Sequence, residues 1–382
     1  MKMRMVTVAM AGLLALSMAA CSGPGAGGGD SGTDSGGPGD TTIGVAMPTQ
    51  TSTRWIADGN AVKEGLEKAG YKVDLQYAAD EIPTQTQQID QMITKGVKLL
   101  IIASIDGTAL TSQLQAAADK GIKVIAYDRL IRDSPNVDFY VSFDNYKVGV
   151  AQATSLLHGL GLVEKDGKPV ATPPTGTQNV ELFGGSSDDN NAPINFSGSW
   201  DTLKPFIDKG NIAVKSGQTE FAQAATLRWD QATAQTRMEN LLSSTYGGNG
   251  EGLAGVLSPF DGISRGIITA LQGVGMGPTI AEGLPIVTGQ DAEIASVKLI
   301  NDGVQYSTIF KDTRTLAGQA VTTALSYLKG EEPKANDTKT YNNGVKIVPS
   351  YLLEINTINK EDIKPELIDS GYWTQAQVDA GQ

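Results

Sequence analysis

Residues 97–104, VKLLIIAS, form a run that is apolar at nearly every position. An apolar run of this length is typical of a strand that is buried on both faces of a parallel sheet. On either side of it lie further short β-type runs, TTIGVAM (41–47), YKVDLQYA (71–78), KVIAYD (123–128) and FYVSFD (139–144). Helical patterns lie between most of these runs, and this alternation predicts a doubly wound sheet.

The alternation starts again after residue 144. Further strands are predicted at 179–185, 211–218, 253–259, 285–291 and 306–312. Helical patterns separate them, and one of these covers 199–209. We therefore predict an α/β protein with two similar lobes side by side. Because α/β folds bind ligands at the carboxyl ends of their strands, the cleft between the lobes is the expected site.

Length and composition limit the classes of protein that need to be considered. The 382 residues favour two domains, and a content of 40% hydrophobic and 19% charged residues fits a globular body. The net charge of −12 argues against nucleic acid as a partner, because phosphate binding needs a basic surface. One Cys and one His exclude a Cys/His zinc cluster and an internal disulfide. We expect no metal and no cofactor.

The N-terminus is predicted to be an export signal rather than part of the fold. Residues 1–20 contain two basic residues, an apolar run too short to span a membrane, and small residues before Cys21. Ala-Ala-Cys at 19–21 resembles the cleavage site of bacterial lipoproteins, where Cys21 would carry acyl chains; a plain secreted protein is the alternative. Residues 21–40 are rich in Gly and Ser and predict a flexible tether. The protein is then extracytoplasmic and bound to the membrane by its lipid alone.

Polar and aromatic residues follow the predicted strands at their carboxyl ends. Those of the first lobe are Arg54, Trp55, Asp106, Asp128 and Arg129. Those of the second lobe are Asp189, Asn191, Phe260, Asp261, Asp291 and Lys311. The same positions also hold Asp144, Asn145, Asp188, Asn190, Trp229, Asp230 and Gln290, to which we assign no role.

This set of residue types suits a sugar. Carboxylates accept hydrogen bonds from hydroxyl groups, and Arg, Lys and Asn side chains donate to them. Charge-assisted hydrogen bonds are the stronger ones, and aromatic rings can cover the apolar face of a pyranose. The set therefore predicts a site for a neutral polyol. An Asp at a strand end is often a helix cap, so Asp106 and Asp261 keep that alternative.

Several longer stretches resemble a known family. They include MPTQTSTRWIADGN (47–60), KVIAYDRLIR (123–132), ELFGGSSDDNNA (181–192), TLRWDQATAQTRMENLL (226–242) and YSTIFKDTR (306–314). These are similar to the periplasmic sugar-binding proteins of bacterial ABC importers, in the ribose/xylose/galactose group, and most of all to the ChvE-type multiple-sugar-binding proteins. The likeness extends from Ile43 to about Leu353.

The resemblance implies a type I periplasmic binding protein fold, in which three strands join the two lobes as a hinge. The first lobe would be 41–143 plus 312–348, and the second 144–311 plus 349–382. The chain would cross between the lobes near 143–145, 311–313 and 347–350.

The resemblance also implies roles for the site residues. Arg54 would bind the sugar by hydrogen bonds and Trp55 by stacking, and Asp128 with Arg129 would bind ring hydroxyls. The second lobe would contribute Asp189, Asn191, Asp291 and Lys311. Ribose and xylose members tend to have Asn where this chain has Phe260, so a stacking face is expected there instead of a hydrogen bond.

The implied function is that of a receptor, monomeric and not an enzyme. It would capture a monosaccharide, an aldopyranose, by hinge closure and deliver it to an ABC permease. The alternative is a receptor that signals to a membrane sensor kinase. A sugar-responsive repressor would need a DNA-binding helix-turn-helix where the export signal lies. A glycosidase would need a protonated carboxyl group, which Arg129 and Lys311 disfavour.

Overall fold

The computed structural model describes residues 38–382, in which short strands and helices alternate. The strands are β1 (Thr42–Met47), β2 (Lys72–Tyr77), β3 (Leu99–Ile102), β4 (Lys123–Tyr127), β5 (Phe139–Phe143), β6 (Gln178–Leu182), β7 (Ile212–Val214), β8 (Leu253–Leu257), β9 (Ile286–Val287), β10 (Thr308–Phe310), β11 (Ser350–Leu353) and β12 (Asn356–Ile358). The α-helices are α1 (Thr53–Lys68), α2 (Ile82–Lys95), α3 (Thr111–Asp119), α4 (Asn145–Gly159), α5 (Asn191–Asp208), α6 (Phe221–Ala224), α7 (Gln231–Thr245), α8 (Asp261–Gly273), α9 (Ile294–Asn301), α10 (Thr313–Leu328) and α11 (Gln375–Ala380).

The first lobe is built on a six-stranded parallel sheet with the strand order β11-β5-β4-β3-β1-β2. All four residues of β3 are fully buried. Leu99 and Ile101 pack into the hydrophobic cluster on one face of the sheet, and Leu100 and Ile102 pack into the cluster on the other. The apolar run at 97–104 therefore contains a strand that is buried on both faces, as predicted.

The second lobe is built on a four-stranded parallel sheet with the order β7-β6-β8-β9. Next to it, β10 and β12 form an antiparallel pair. An isolated parallel bridge between Gln290 and Ile309 continues the sheet from β9 toward β10. Helices lie between most successive strands in both lobes, and a loop joins β4 to β5. The predicted α/β class with two doubly wound lobes is confirmed.

Helix α5 is longer than the sequence pattern predicted, since it begins at Asn191 and not near residue 199. Its first half packs closely against α4. A Cβ atom on Gly149 of α4 would lie 1.9 Å from the carbonyl oxygen of Asn195, so only glycine allows this approach. The close contact fixes the start of α5, and with it Asn191, at the edge of the cleft.

One predicted lobe assignment is wrong. Residues 349–353 were expected in the second lobe, but Ser350–Leu353 is strand β11, which pairs in parallel with β5 at the edge of the first sheet. The backbone hydrogen bonds of that pairing keep the chain in the first lobe until after Leu353. The remaining lobe boundaries stay predictions.

The predicted export signal (1–20), Cys21 and all but the last three residues of the predicted tether lie outside the described residues. Pro38–Asp40, the end of that tether, forms a single 3-10 turn. From there to the C-terminus, the chain contains no helix with the length and hydrophobicity needed to cross a bilayer.

Candidate functional site

A cavity of about 390 Å³ lies where the carboxyl ends of the two sheets face each other. All predicted site residues except Asp106 and Asp261 line it. From the first lobe, the first turn of α1 contributes Arg54 and Trp55, and the loop after β4 contributes Asp128 and Arg129. From the second lobe, the loops after β6, β8, β9 and β10 contribute Asp189, Phe260, Asp291 and Lys311, and the start of α5 contributes Asn191. The cavity is therefore shared by the two lobes.

Four charged side chains form a connected group at the cavity, and we call Arg54, Asp128, Asp291 and Lys311 the ionic cage. Arg54 Nη2 donates to Asp128 Oδ2 at 2.5 Å, and its Nη1 donates to Asp291 Oδ1 at 3.4 Å. Lys311 Nζ lies 3.0 Å from Asp291 Oδ1 and 3.8 Å from Asp128 Oδ2. Each of the four residues is at most 6% exposed, so each charge depends on the others for compensation.

The backbone of Asp128 is held in an unusual conformation. Its φ of 58° lies in the left-handed region, which is uncommon for a residue other than glycine. Its carbonyl oxygen accepts hydrogen bonds from Tyr140 Oη at 2.6 Å, Ser142 Oγ at 2.7 Å and Asn191 Nδ2 at 2.8 Å. Three donors on one carbonyl fix this conformation, which is the kind of local strain found at functional sites.

A second charged pair crosses from one lobe to the other. Arg129 Nε lies 2.9 Å from Asp189 Oδ2, and Arg129 Nη1 donates to the carbonyl oxygen of Ser104. Asp189 also accepts from the backbone N–H of Asn191 at 2.9 Å and from Trp229 Nε1 at 3.2 Å. The pair therefore connects the loop after β4 with the loop after β6.

Aromatic rings lie on both sides of the cavity. In the first lobe, the guanidinium carbons of Arg54 and Arg129 lie 4.9 and 5.1 Å from the centre of the Trp55 ring, within range for cation–π contacts. In the second lobe, Phe260 and Trp229 pack edge to face, with ring centres 6.2 Å apart. The arrangement combines hydrogen-bonding charges with apolar surfaces.

The surroundings of Asp128 keep its carboxylate ionised. Burial alone would raise its pKa, but Arg54 and Lys311 outweigh burial and lower the pKa to about 2. At Asp189 the balance is different, because burial raises the pKa and Arg129 offsets this only in part. At neutral pH, Asp128 is therefore a hydrogen-bond acceptor and does not have a proton to give to a ligand.

The structure does not bring Asp106 and Asp261 into the cavity. Asp106 Oδ1 accepts from the backbone N–H and the hydroxyl of Thr108, so it stabilises its own turn. Asp261 is fully buried and accepts from the backbone N–H of Glu293 and from Gln305, both at 2.9 Å. Burial and the neighbouring Glu293 raise the pKa of Asp261 to about 8. Both side chains have structural roles, but neither caps a helix as the stated alternative expected, because the N-cap positions of α3 and α8 are Leu110 and Phe260.

The cavity also contains residues to which the sequence analysis gave no role. Glu293 Oε1 accepts from Ser52 Oγ of the other lobe at 2.7 Å, and Glu293 Oε2 accepts from Arg265 at the same distance. Asn145, Trp229, Asp230 and Gln290 line the cavity as well, and all four had been noted at strand ends. Glu293 and Arg265 follow no strand directly, and Arg265 lies one turn inside α8, so the strand-end rule could not find them.

The fold and the cavity define a two-lobed binding protein with a charged cleft, and comparison with known proteins identifies the family. The family model described as "Periplasmic binding protein domain" matches residues 43–332. The multiple sugar-binding periplasmic receptor ChvE of Rhizobium radiobacter is 54% identical over 88% of this chain and 92% of its own length. The D-xylose-binding periplasmic protein of Escherichia coli is 36% identical, with the same two coverages. A solute-binding protein of an ABC transporter from Clostridium phytofermentans, solved with bound β-D-glucose, has a TM-score of 0.82 and 45% identity, and the match covers 88% of this chain and all of that one.

The chain therefore belongs to the periplasmic binding proteins, among the sugar-binding members of that family. The predicted resemblance and the type I fold are confirmed. The family consists of receptors and not of enzymes, which confirms the prediction of a non-enzymatic protein. Its members are periplasmic, and the protein is accordingly extracytoplasmic.

The ionic cage predicts a large effect on stability when one cation is removed. Lys311→Met should lower the free energy of unfolding by about 3 kcal/mol, because Asp291 and Asp128 then share Arg54 alone in a buried site. Denaturant unfolding measures this difference. The matched control is Lys204→Met, which removes an exposed lysine paired with Asp208 and should cost less than about 1 kcal/mol. Equal losses in the two variants would contradict the interpretation of the cage.

Proposed function

We propose that the protein binds a neutral monosaccharide, an aldopyranose, in the cavity between its lobes. The observation that carries this proposal is the ionic cage, whose buried cations and carboxylates balance each other. A balanced set offers donors and acceptors for hydroxyl groups without favouring a charged ligand. Trp55 and Phe260 provide apolar surfaces for the faces of a sugar ring.

The proposal gives each site residue a role. Arg54, Arg129 and Lys311 donate hydrogen bonds to ring and hydroxyl oxygens, and Asp128, Asp189 and Asp291 accept from hydroxyl groups. Asn191 binds the sugar at the junction of the two lobes. The bound sugars of relatives guide the choice of ligands for testing: the Clostridium phytofermentans and Chloroflexus aurantiacus structures contain glucose, and the Escherichia coli relative is a D-xylose-binding protein.

Hinge closure is the proposed mechanism of capture. The contacts Arg54–Asp291, Arg129–Asp189 and Ser52–Glu293 all join residues of different lobes. A sugar held by Asp128 and Arg129 in the first lobe gains contacts with the second lobe only when the cleft is closed. This difference in affinity shifts the equilibrium toward the closed form.

Sugar binding should raise the melting temperature. At a sugar concentration about 100 times Kd, binding adds about 2.7 kcal/mol to the stability of the folded protein. We expect one or more of D-glucose, D-galactose, D-xylose and L-arabinose to give this shift in a thermal scan. Arg129→Ala should abolish it, and Arg314→Ala, an exposed arginine outside the cavity, should leave it intact.

The two possible failures of that experiment have different meanings. A flat response of the wild type to the whole panel would contradict monosaccharide binding. An undiminished shift in Arg129→Ala would leave binding in place but refute the assignment of the site.

We also propose that Cys21 is acylated and holds the protein at the outer face of a membrane. This rests on the sequence of the export signal and on the Gly/Ser-rich composition of the residues that follow Cys21. Wild-type protein should incorporate radiolabelled palmitate in a bacterial host and sediment with membranes. Cys21→Ser should do neither, whereas Ser22→Ala should behave as wild type. Membrane retention of unlabelled Cys21→Ser would contradict a lipid anchor.

The proposed physiological role is delivery of the sugar, by a monomeric receptor, to the transmembrane subunits of an ABC importer. Membership in the family supports this role. A strain that lacks the protein should lose high-affinity uptake of the sugar found in the thermal scan. Wild-type protein should restore uptake, and Arg129→Ala should not. Normal uptake in the deletion strain, with loss of a sugar-induced transcriptional response, would instead support a receptor that signals to a sensor kinase.

A further inference from the structure

Beneath the cavity lies a buried carboxylate that does not line it. Asp58 is on α1, one helical turn after Arg54, and is fully buried. We propose that Asp58, together with Tyr127, is a positioning residue that holds the Arg54 guanidinium in the orientation that binds sugar. The inference rests on the proposed sugar site, and it assigns a function to two residues that do not line the cavity.

The geometry around Arg54 supports this role. Arg54 Nε lies 3.1 Å from Asp58 Oδ2 in an ion pair without hydrogen-bond geometry, whereas its two terminal nitrogens donate to Asp128 and Asp291. The guanidinium is thus held by three carboxylates, of which only Asp58 is outside the cavity. Asp128 and Asp291 must also bind a ligand, whereas Asp58 pairs with Arg54 whether or not a ligand is bound.

Asp58 is itself fixed by a neighbouring strand. Tyr127, the last residue of β4, donates its phenolic hydroxyl to Asp58 Oδ1 and is fully buried. Tyr127 directly precedes Asp128, so the same end of β4 holds the support for Arg54 and one of its partners in the ionic cage. A shift of Arg54 would therefore disturb both the first turn of α1 and the end of β4.

The charge on Asp58 responds to pH near neutrality. Burial raises its pKa to about 7, against the opposing effects of Arg54 and the Tyr127 hydrogen bond. The other groups that face Asp58 are Asp128 and Asp291, which raise its pKa further, and the phenols of Tyr77 and Tyr372, whose pKa values are raised in turn. Above pH 7 the ionised carboxylate pairs with Arg54, and below pH 7 its protonation removes the charge that holds the guanidinium.

Sugar affinity should therefore fall as the pH decreases through about 7. The direction in which Tyr127 changes the pKa of Asp58 follows from its role as a hydrogen-bond donor. Its hydrogen bond stabilises the ionised carboxylate, so Tyr127→Phe should raise the pKa of Asp58 and move the midpoint to higher pH. A merely structural role for either residue would change affinity or stability without moving a midpoint.

The experiment measures binding of D-glucose and D-xylose by calorimetry from pH 5.5 to 9. At pH 8, Asp58→Asn should weaken binding at least tenfold and remove the step in affinity near pH 7. Tyr127→Phe should shift that step upward. Tyr77→Phe is the matched control, because Tyr77 faces Asp58 without a hydrogen bond to it and its loss should move the step less. Asp261→Asn should keep the step, although Asp261 is also a buried carboxyl group and its pKa is raised to about 8.

A readout that needs no sugar separates this inference from the proposed function. Trp55 lies against the guanidinium groups of Arg54 and Arg129, so its fluorescence, measured with the other three tryptophans replaced by Phe, responds when Arg54 shifts. The wild type should show a fluorescence step near pH 7 that is absent in Asp58→Asn and shifted in Tyr127→Phe. If this pattern holds while both sugars fail to bind, the positioning role stands and the proposed function falls. If the step is the same in Asp58→Asn, or no higher in Tyr127→Phe than in Tyr77→Phe, the positioning role is refuted.

Discussion

The site depends on the mutual compensation of buried charges at the place where two parallel sheets meet. Arg54 and Lys311 are neutralised by Asp128 and Asp291, and Arg129 is neutralised by Asp189. An unpaired charge at this depth would be strongly destabilising, so each member of the set keeps the others in place. The topology makes the set possible, because the carboxyl ends of parallel strands all point to the cleft.

Backbone strain is concentrated at the same place. Asp128 and Asp291 both have positive φ, of 58° and 91°, although neither is glycine. Hydrogen bonds to the backbone hold both residues: the Asp128 carbonyl accepts from Tyr140 and Ser142 of its own lobe and from Asn191 of the other, and the Asp291 N–H donates to the Ile309 carbonyl. Ala292, which follows Asp291 and is also left-handed, accepts a hydrogen bond from Trp373 Nε1 near the C-terminus. The C-terminal segment thus helps to aim a carboxylate of the ionic cage.

The sequence predicted those parts of the molecule that follow from a regular pattern. Leu99–Ile102 is a strand buried on both faces because its apolar run has no polar position. Arg54 and Asp128 meet because each follows a strand of the first parallel sheet, and Lys311 joins them from the end of β10, which an isolated parallel bridge connects to the edge of the second sheet. The start of α5 was missed, since Asn191, Pro193 and the glycine at 198 are poor helix formers and tertiary packing against α4 overrides their propensity.

The sequence pattern could not predict roles that depend on the direction in which a side chain points. Asp261 follows a strand as the site residues do, but it turns toward Gln305 and the backbone of Glu293. Glu293 follows no strand directly, yet it faces Ser52 across the cleft. Likewise, the pairing of Ser350–Leu353 with β5 is a long-range contact that no local periodicity encodes. The sequence therefore predicts which loops form the site, whereas packing decides which side chains of those loops point into it.

The same charge balance determines how the site can discriminate between ligands. Because the cage residues already satisfy one another, a ligand must replace some of these contacts with hydrogen bonds of equal strength. A sugar hydroxyl in the correct position does so, since it can donate to a carboxylate and accept from a guanidinium at once. A sugar that lacks that hydroxyl, or presents it with the opposite configuration, would leave a buried charge partly unpaired. Such a mismatch is penalised far more heavily than the loss of an apolar contact. Selectivity thus follows from the cost of leaving a desolvated ion without a partner, and Asp58 contributes to it by preventing Arg54 from moving to adapt.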